Sequence, residues 1–380
     1  MLPTGADELA AAALTAAAQA KHQDLRLHTA CGDVLVRLPA DTDPEALNWA
    51  TVSDGTASDQ AGPAVRPGDQ PTVAWTVTVA PLDFDMRAAV SRWSASGWAS
   101  STENGRGSFP VHWRIAGPDR RIACYGGTGA KNVVMRAGQH ITLGVDNPAE
   151  AGRWTQRLLR QVMVWSGRRA GMSLSHGAVI CRDGTGLMIA GPSLAGKTDL
   201  AVRLAHRCRA VVVTLDRCLL AYRDGAWIVS ALPFGLNVAE ETLACVGVCA
   251  ADMAHLRPAV KAKRYLDLTE LRQLTSIGVT DRCRLAGILI LRGPAEAGHL
   301  RTLEPAETRL VLSQELAYAD PGFPTDWLGI TAGDSPAAML TEGSEAGLRG
   351  LVSNFPAGSA EQLDAVASWA ARGIWREQAS

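Results

Sequence analysis

The hydrophobic pattern of the chain changes near residue 147. Before it, short β-prone runs separated by polar or Gly-rich turns predict four strand regions, at 25–38, 72–80, 111–116 and 141–145. After it, apolar positions first recur at helical spacing, and strands then alternate with helices. We therefore predict an α/β protein with two domains, a β-rich N-terminal domain at 1–147 and a second domain at 148–380.

The second domain is predicted to begin with a helix that has Pro148 in its first turn, where the missing N–H costs nothing, and that ends near Arg169. Further helices are predicted at 196–207, 267–275, 305–317 and 360–375. Strands are predicted at 177–181, 187–190, 210–215 and 285–291, with a hairpin turn at Asp224-Gly225.

Two segments of the N-terminal region have other patterns. The Ala-rich stretch 6–21 resembles a signal peptide in composition, but Asp7 and Glu8 precede the alanines where a secretory signal carries basic residues. We therefore expect a surface helix there. Residues 41–70 are polar and rich in Gly and Pro without a period, which predicts a long loop.

Composition and charge exclude several classes of protein. With 47% hydrophobic and 20% charged residues, the chain has the composition of a folded protein. A formal net charge of -1 supplies no overall field that would attract nucleic acid or an anionic membrane. No apolar run reaches the ~18 uninterrupted residues of a membrane span. The eight cysteines form no pair of CxxC motifs, which favours reduced thiols in a cytoplasmic protein.

The most specific motif is GPSLAGKT, which matches the phosphate-loop pattern G-x-x-x-x-G-K-[ST]. Its residues are Gly191, Pro192, Ser193, Leu194, Ala195, Gly196, Lys197 and Thr198. A buried strand is predicted before the motif and an amphipathic helix after it, and this context argues against a chance match. Lys197 would then reach the β- and γ-phosphates of a nucleotide, and Thr198 would offer its hydroxyl to Mg²⁺.

Two further residues are candidates for the same site. Asp216 ends the apolar run Val211 to Leu215, nineteen positions after Lys197, where a carboxylate would act as a metal ligand, as a general base or as both. The alternative is a strand-end aspartate that caps a turn. His176 stands before the predicted strand 177–181, which leads by a hairpin into the loop strand. From the residues alone, a packed or solvent-facing histidine is an equal alternative to a site residue.

Together these features resemble the C-terminal domain of HPr kinase/phosphorylase and its relatives, including those found beside peptide-modifying gene clusters. The resemblance rests on His176-Gly177, the following hairpin, the loop 191–198, the strand ending in Asp216 and the segment 232–238. It spans roughly 150–375 and is strongest over 170–240. It implies a PEP carboxykinase/HPr kinase-like phosphate-loop core that uses ATP and Mg²⁺. It also implies that Lys197 and Thr198 bind phosphate and metal, that Asp216 is the general base and possible metal ligand, and that His176 is a site residue.

The chain also departs from the family's pattern. The family usually has two adjacent aspartates at the strand end, whereas here Leu215 precedes Asp216 and Arg217 follows it. Its acidic residue after the hairpin has no clear counterpart, and Glu240 and Glu241 are the late candidates on a predicted helix. These departures put the reverse, phosphorylase reaction in doubt.

The resemblance predicts a kinase that transfers the γ-phosphoryl group of ATP to a hydroxyl. The acceptor is expected to be a Ser or Thr of a peptide or small protein, or a small hydroxylated metabolite. The N-terminal domain is expected to help bind it. A homo-oligomer is a possibility that the sequence leaves open. The alternative is a nucleotide-gated regulatory protein with weak ATPase activity. A phosphoenolpyruvate-carboxykinase-like enzyme is a third alternative, but its metal cluster has no match. The basic residues Lys261, Lys263 and Arg264 would serve a developing phosphoryl charge or form a solvated face.

Overall fold

The structure is a computed structural model that describes part of the chain. The described residues are 21–27, 29, 31–40, 73–81, 99–104, 108–117, 119–125, 132–232, 235–254, 256, 263–292, 299–317, 325–331, 348–356 and 358–375. The Ala-rich helix predicted at 6–21, apart from Lys21, and the loop predicted at 41–70 lie outside these ranges. No helix among the described residues has the length and apolar character needed to cross a membrane.

Contacts between residues divide the chain into two compact units. The first unit contains the described residues of 21–170 together with 325–331, and the second contains those of 171–317 and 348–375. The helix Ala151–Arg169 belongs to the first unit by its contacts. The domain boundary between residues 147 and 148 stays a prediction.

The first unit is built on an eight-stranded sheet. Its strands are β1 (His22–Leu27), β2 (Asp33–Pro39), β3 (Val73–Pro81), β4 (Ala99–Asn104), β5 (Ser108–Gly117), β6 (Arg120–Tyr125), β7 (Asn132–Ala137) and β8 (His140–Val145). They are arranged in the order β1-β2-β3-β8-β7-β6-β5-β4. The β2–β3 and β3–β8 pairs are parallel and the others are antiparallel. This confirms the β-rich character predicted for the region.

A helix follows this sheet, as the sequence predicts. Asn147 caps a short 3₁₀ turn, Pro148–Glu150, by accepting a hydrogen bond from the amide of Ala149. Helix α1 (Ala151–Arg169) continues from there and contacts β3 and β8. Its buried stripe includes Trp154, Leu158 and Val162, which repeat at the spacing that places side chains on one helical face.

The second unit alternates strands and helices around a larger mixed sheet. Its strands are β9 (Ser173–His176), β10 (Ala178–Arg182), β11 (Thr185–Ala190), β12 (Val211–Thr214), β13 (Arg217–Arg223), β14 (Ala226–Ala231), β15 (Leu236–Ala239), β16 (Lys263–Leu266), β17 (Arg282–Leu291), β18 (Leu300–Leu303) and β19 (Arg349–Ser353). Its helices are α2 (Lys197–Cys208), α3 (Glu240–Cys245), α4 (Leu268–Thr275), α5 (Pro305–Ala317) and α6 (Ala360–Gly373).

The main sheet of this unit runs β12-β10-β11-β17-β14-β13-β9, and β19 pairs with both β17 and β18. Strand β10 shows why the sheet needs cover on both faces. Ile180 belongs to a core with helices α2 and α6, whereas its neighbours Val179 and Cys181 belong to a core on the other face that includes Leu312 of α5. Successive side chains of a strand point to opposite faces, so continuous apolar runs are required here.

The parallel pairs determine where the phosphate-loop motif lies. Strand β17 is parallel to β11 on one side and to β19 on the other. The carboxyl ends of these strands, Ala190, Leu291 and Ser353, therefore share one edge of the sheet. In open α/β sheets ligands bind at this edge, and the motif 191–198 begins there.

Candidate functional site

The motif forms the turn between a strand and a helix. Strand β11 ends at Ala190, and helix α2 begins at Lys197 after a loop of six residues. Gly191 has φ 140°. A Cβ at this position would lie 2.5 Å from the carbonyl oxygen of Leu291, so only glycine fits without movement of β17. The strand and helix that the sequence predicts on either side of the motif are confirmed.

The other end of the loop also requires an unusual backbone. Gly196 is the N-cap of α2 and has φ 85°, in the left-handed region. Leu194 at the tip has φ 68°, and its side chain is 94% exposed. An apolar side chain with this exposure does not pack into a hydrophobic core, so the position of Leu194 is determined by the loop backbone rather than by side-chain packing.

Lys197 is folded back over the loop. Its Nζ donates to the carbonyl oxygens of Gly191, at 2.8 Å, and Pro192, at 2.9 Å. The residue is only 8% exposed although it carries a charge. Two neutral carbonyls therefore hold a buried ammonium at the mouth of the loop, where an anionic oxygen would form a stronger, charge-assisted bond.

Helix α2 directs its N-terminus at the same place. The hydrogen bond from the Leu200 amide to the Gly196 carbonyl, at 2.9 Å, closes the first turn, and the amides of Lys197, Thr198 and Asp199 precede it. The first amides of a helix have no carbonyl partner within the helix, and they carry the positive end of its dipole. Anions are stabilised at such a position.

Thr198 connects the loop helix to the next strand end. Its hydroxyl donates to the carbonyl oxygen of Leu215 at 3.3 Å. Leu215 directly precedes Asp216, so the hydroxyl lies beside the residue that carries the carboxylate. The structure thus brings together two of the predicted site residues, which are eighteen positions apart in sequence.

Asp216 lies between two basic side chains. Its Oδ1 is 3.2 Å from His176 Nε2, and its Oδ2 accepts a hydrogen bond from Arg217 Nη1 at 2.7 Å. All three side chains are accessible, at 40% for His176, 54% for Asp216 and 24% for Arg217. The carboxylate is therefore oriented through both oxygens while remaining open to solvent.

The strand pairing explains this arrangement. His176 precedes β10, which forms a hairpin with β11 as the sequence predicts. It ends the separate strand β9, which pairs with β13 so that His176 lies opposite Arg217. At the turn before β13, the Thr214 hydroxyl donates to the Arg217 carbonyl at 2.8 Å. Pairing between β9 and β13, rather than a local hairpin, brings the histidine to the aspartate.

Three polar contacts beside the loop were not anticipated from sequence. Asp199, the residue after the motif, accepts a hydrogen bond from the Thr242 hydroxyl at 3.0 Å and pairs with Arg203 at 3.3 Å. Glu240 pairs with Arg264 at 2.6 Å. The position of Asp199 on the first turn of a helix was the only available signal, because acidic residues are favoured there. These contacts fasten helix α3 and strand β16 to the base of the site.

The predicted basic cluster is divided by these contacts. Lys261 lies outside the described residues. Lys263 is exposed on β16 opposite Ala239, while Arg264 is engaged by Glu240. Of the two acidic residues considered from sequence, Glu240 is thus half of an ion pair, and Glu241 is exposed on α3.

A buried thiol lies directly after the site. Burial raises the pKa of Cys218 to about 12, with a further contribution from the negative charge of Asp216. The thiol is thus held protonated near neutral pH. It adds a packing atom to the hydrophobic core and no charge.

The donor set fits a magnesium nucleotide in its chemistry. A hydroxyl at Thr198 and a carboxylate at Asp216 are hard oxygen donors, which Mg²⁺ prefers together with water and phosphate oxygens. Lys197 and the amides at the start of α2 are suited to the phosphates. Within the described part of the chain, no three His, Cys, Asp or Glu side chains form a metal-binding group.

Comparison with known proteins finds a distant structural similarity and no family. No family of known proteins matches the chain, and no curated protein matches it. The solved structure of the Hpr(Ser) kinase/phosphatase from Coxiella burnetii is similar over 52% of this chain and 88% of that chain, at 12% sequence identity and a TM-score of 0.31. The relationship is distant and structural, so the chemistry of the site must be argued from its own residues. The fold defines the chain as an α/β protein with more than one sheet.

Proposed function

We propose that the chain is an ATP-dependent kinase that transfers the γ-phosphoryl group to a hydroxyl. The observation that carries the proposal is the hydrogen bond from Thr198 to the Leu215 carbonyl. It links the helix of a phosphate-loop motif to a strand end where Asp216 contacts His176. This contact supports the proposal of a phosphate site next to a candidate base, as phosphoryl transfer requires.

The proposed nucleotide site is formed by the loop and the residues that end it. Lys197 would exchange the carbonyls of Gly191 and Pro192 for phosphate oxygens, and the first amides of α2 would bind the same phosphates. Thr198 and Asp216 would hold Mg²⁺, directly or through water. When bound, Mg-ATP supplies the phosphoryl group and the metal charge that neutralises the developing negative charge.

Asp216 is the proposed general base. Its Oδ1 and Oδ2 are oriented by His176 and Arg217, and its side chain is 54% exposed. An acceptor hydroxyl that approaches from solvent would donate its proton to this carboxylate as its oxygen forms a bond to the γ-phosphorus and the bond to the leaving ADP breaks.

The open position of Asp216 and His176 favours a bulky acceptor. We propose a Ser or Thr of a peptide or small protein, with a small hydroxylated metabolite as the other candidate. The first unit is proposed to help bind that acceptor. A buried base would instead suit a small substrate that is enclosed by the site.

One observation favours a second candidate function. Both oxygens of Asp216 are already engaged by His176 and Arg217, so an acceptor hydroxyl must compete with these side chains for the carboxylate. A chain with such a site would bind and slowly hydrolyse ATP and act as a nucleotide-gated regulatory protein. The two functions differ in whether a partner gains phosphate.

The discriminating experiment measures ATP consumption and acceptor mass with the full chain, Mg-ATP and a library of Ser- and Thr-containing peptides. We expect ATP consumption to rise only with an acceptor that gains phosphate. Lys197→Ala should abolish transfer through lost nucleotide binding, whereas Asp216→Asn should retain binding and lower transfer by about 10²- to 10⁴-fold.

Asp183→Asn is the matched control, because Asp183 is an exposed aspartate on the turn between β10 and β11 whose partner is Arg182. It should leave transfer unchanged. Phosphate transfer that persists in Lys197→Ala would refute the kinase mechanism. A partner response to ATP with no phosphate gained would establish the regulatory alternative instead.

A further inference from the structure

We propose a second ligand site in the second unit, for a small organic anion with a planar apolar body. A cavity of about 380 Å³ is lined by β18, β19, the start of α5 and the end of α6. Its volume lies within the range of small-molecule sites, roughly 300–1,000 Å³. Three of its lining side chains, Arg349, Trp369 and Arg372, supply donors and positive charge.

Arg372 supplies the cavity with a positive charge that no acidic lining residue balances. The nine lining residues, all within the described part of the chain, include two arginines and no Asp or Glu. Arg372 is exposed and makes no ion pair or hydrogen bond with any other described residue. A guanidinium presents donors in a planar fork that matches carboxylate, sulfonate or phosphate oxygens.

The donors converge above one glycine. A Cβ at Gly373 would lie 3.4 Å from Arg349 Nη1 and 3.9 Å from Trp369 Nε1, so both nitrogens approach the same backbone position. The indole N–H of Trp369 has no hydrogen-bond partner among the described residues. A single anionic group placed there would accept from the indole and from a guanidinium at once.

The rest of the lining is apolar. Leu303 and Leu348 are buried, at 6% and 8% exposure, and the half-buried ring of Trp369 completes this wall. An indole face and two leucines are suited to a flat ring, and aromatic pairs add to the energy of burial. The ligand class is therefore an anion attached to a planar apolar group, rather than a bare inorganic ion.

This site is separate from the phosphate loop. Arg349 begins β19, whereas the loop follows the carboxyl end of the parallel strand β11. Through β17, Arg349 is level with Leu187 of β11, four residues before Gly191, which corresponds to roughly 13 Å along the strands.

The experiment uses the full chain and isothermal titration with naphthalene-1-sulfonate, with the uncharged 1-naphthalenemethanol as the matched ligand. We expect saturable binding of the sulfonate and at least tenfold weaker binding of the alcohol. Arg372→Ala should weaken sulfonate binding about tenfold, and Arg372→Lys should restore part of it. Trp369→Leu should weaken binding of both ligands about fivefold.

Two control variants locate the binding. Arg272→Ala removes an exposed arginine from α4, and Lys197→Ala removes the cation of the phosphate loop, so both should bind the sulfonate as the unmodified chain does. Thermal unfolding of every variant establishes that it is folded, and Arg372→Gln replaces Arg372→Ala if that variant unfolds. Equal binding of sulfonate and alcohol, loss of binding in Lys197→Ala, or unchanged binding in Arg372→Ala and Arg372→Gln would overturn the proposal.

Discussion

Replacing Gly191 by alanine tests whether the backbone at the start of the loop is as demanding as its geometry indicates. The residue has φ 140°, and a Cβ would lie 2.5 Å from the Leu291 carbonyl oxygen and 3.2 Å from its Cβ. Backbone strain of this kind costs about 1–3 kcal/mol. Overpacking against β17 adds about 1–3 kcal/mol. We therefore expect Gly191→Ala to lower the free energy of unfolding by about 4 kcal/mol.

Gly184→Ala is the matched control, because it places the same methyl group in a neighbouring turn. Gly184 has φ 77°, but a Cβ there would meet nothing within 4 Å. Strain alone should cost about 1–2 kcal/mol. Urea denaturation measures both values, and equilibrium dialysis measures ATP binding. We expect ATP binding to be lost in Gly191→Ala at temperatures where it is still folded and kept in Gly184→Ala. Equal unfolding free energies, or equal ATP affinities, would refute the reasoning.

Three other predictions concern the surroundings of the loop. Thr242→Val removes the hydrogen bond to Asp199 at a buried position, so the free energy of unfolding measured by urea denaturation should fall by about 1–2 kcal/mol. An unchanged free energy of unfolding would mean that this contact does not fasten α3. The pKa of the Cys218 thiol is higher in the folded state than in the unfolded state. The contribution of this thiol to the free energy of unfolding is therefore fully present below pH 9.0, and it is lost as the pH rises toward about 12. Unfolding free energies measured across that range should therefore fall more steeply for the unmodified chain than for Cys218→Ala, and parallel curves would contradict this. Arg264→Ala removes the ion pair with Glu240 and should lower the free energy of unfolding by about 0.5–1 kcal/mol. Lys263 is exposed, so Lys263→Ala should change the free energy of unfolding by less than about 0.5 kcal/mol. Equal effects of the two variants would argue against the ion pair.

The sequence predicts best where local pattern and structure coincide. The helix expected at 305–317 is α5, Pro305–Ala317, and the strand and helix around the motif lie where expected. All three are determined by short-range periodicity and by Gly or Pro at their ends. Strands with little apolar alternation were missed. Strand β4, Ala99–Asn104, is one of these, because it is the Ser- and Thr-rich edge of its sheet.

The candidate site shows the same division. Lys197 and Thr198 are predicted as site residues because the phosphate-loop pattern is a continuous motif, and their role stays a prediction. The environment of Asp216 was not predictable, because it depends on the pairing of β9 with β13. That pairing joins residues 41 positions apart, His176 and Arg217, and no local pattern reports it. Arg217 was regarded from sequence only as a departure from a family pattern, whereas the structure places its guanidinium on the carboxylate of Asp216.

The contact between Gly191 and Leu291 has a consequence for the order in which the protein acquires its site during synthesis. The eight residues of the motif leave the ribosome well before Leu291, which lies a hundred positions further along the chain. Until β17 has been made, the turn at Gly191 lacks the strand beside which it is shaped, and β11 lacks its parallel neighbour. A nascent chain that stops before Arg282 would therefore carry the complete phosphate-loop sequence without the sheet that shapes it. The loop is completed only when a distant strand arrives.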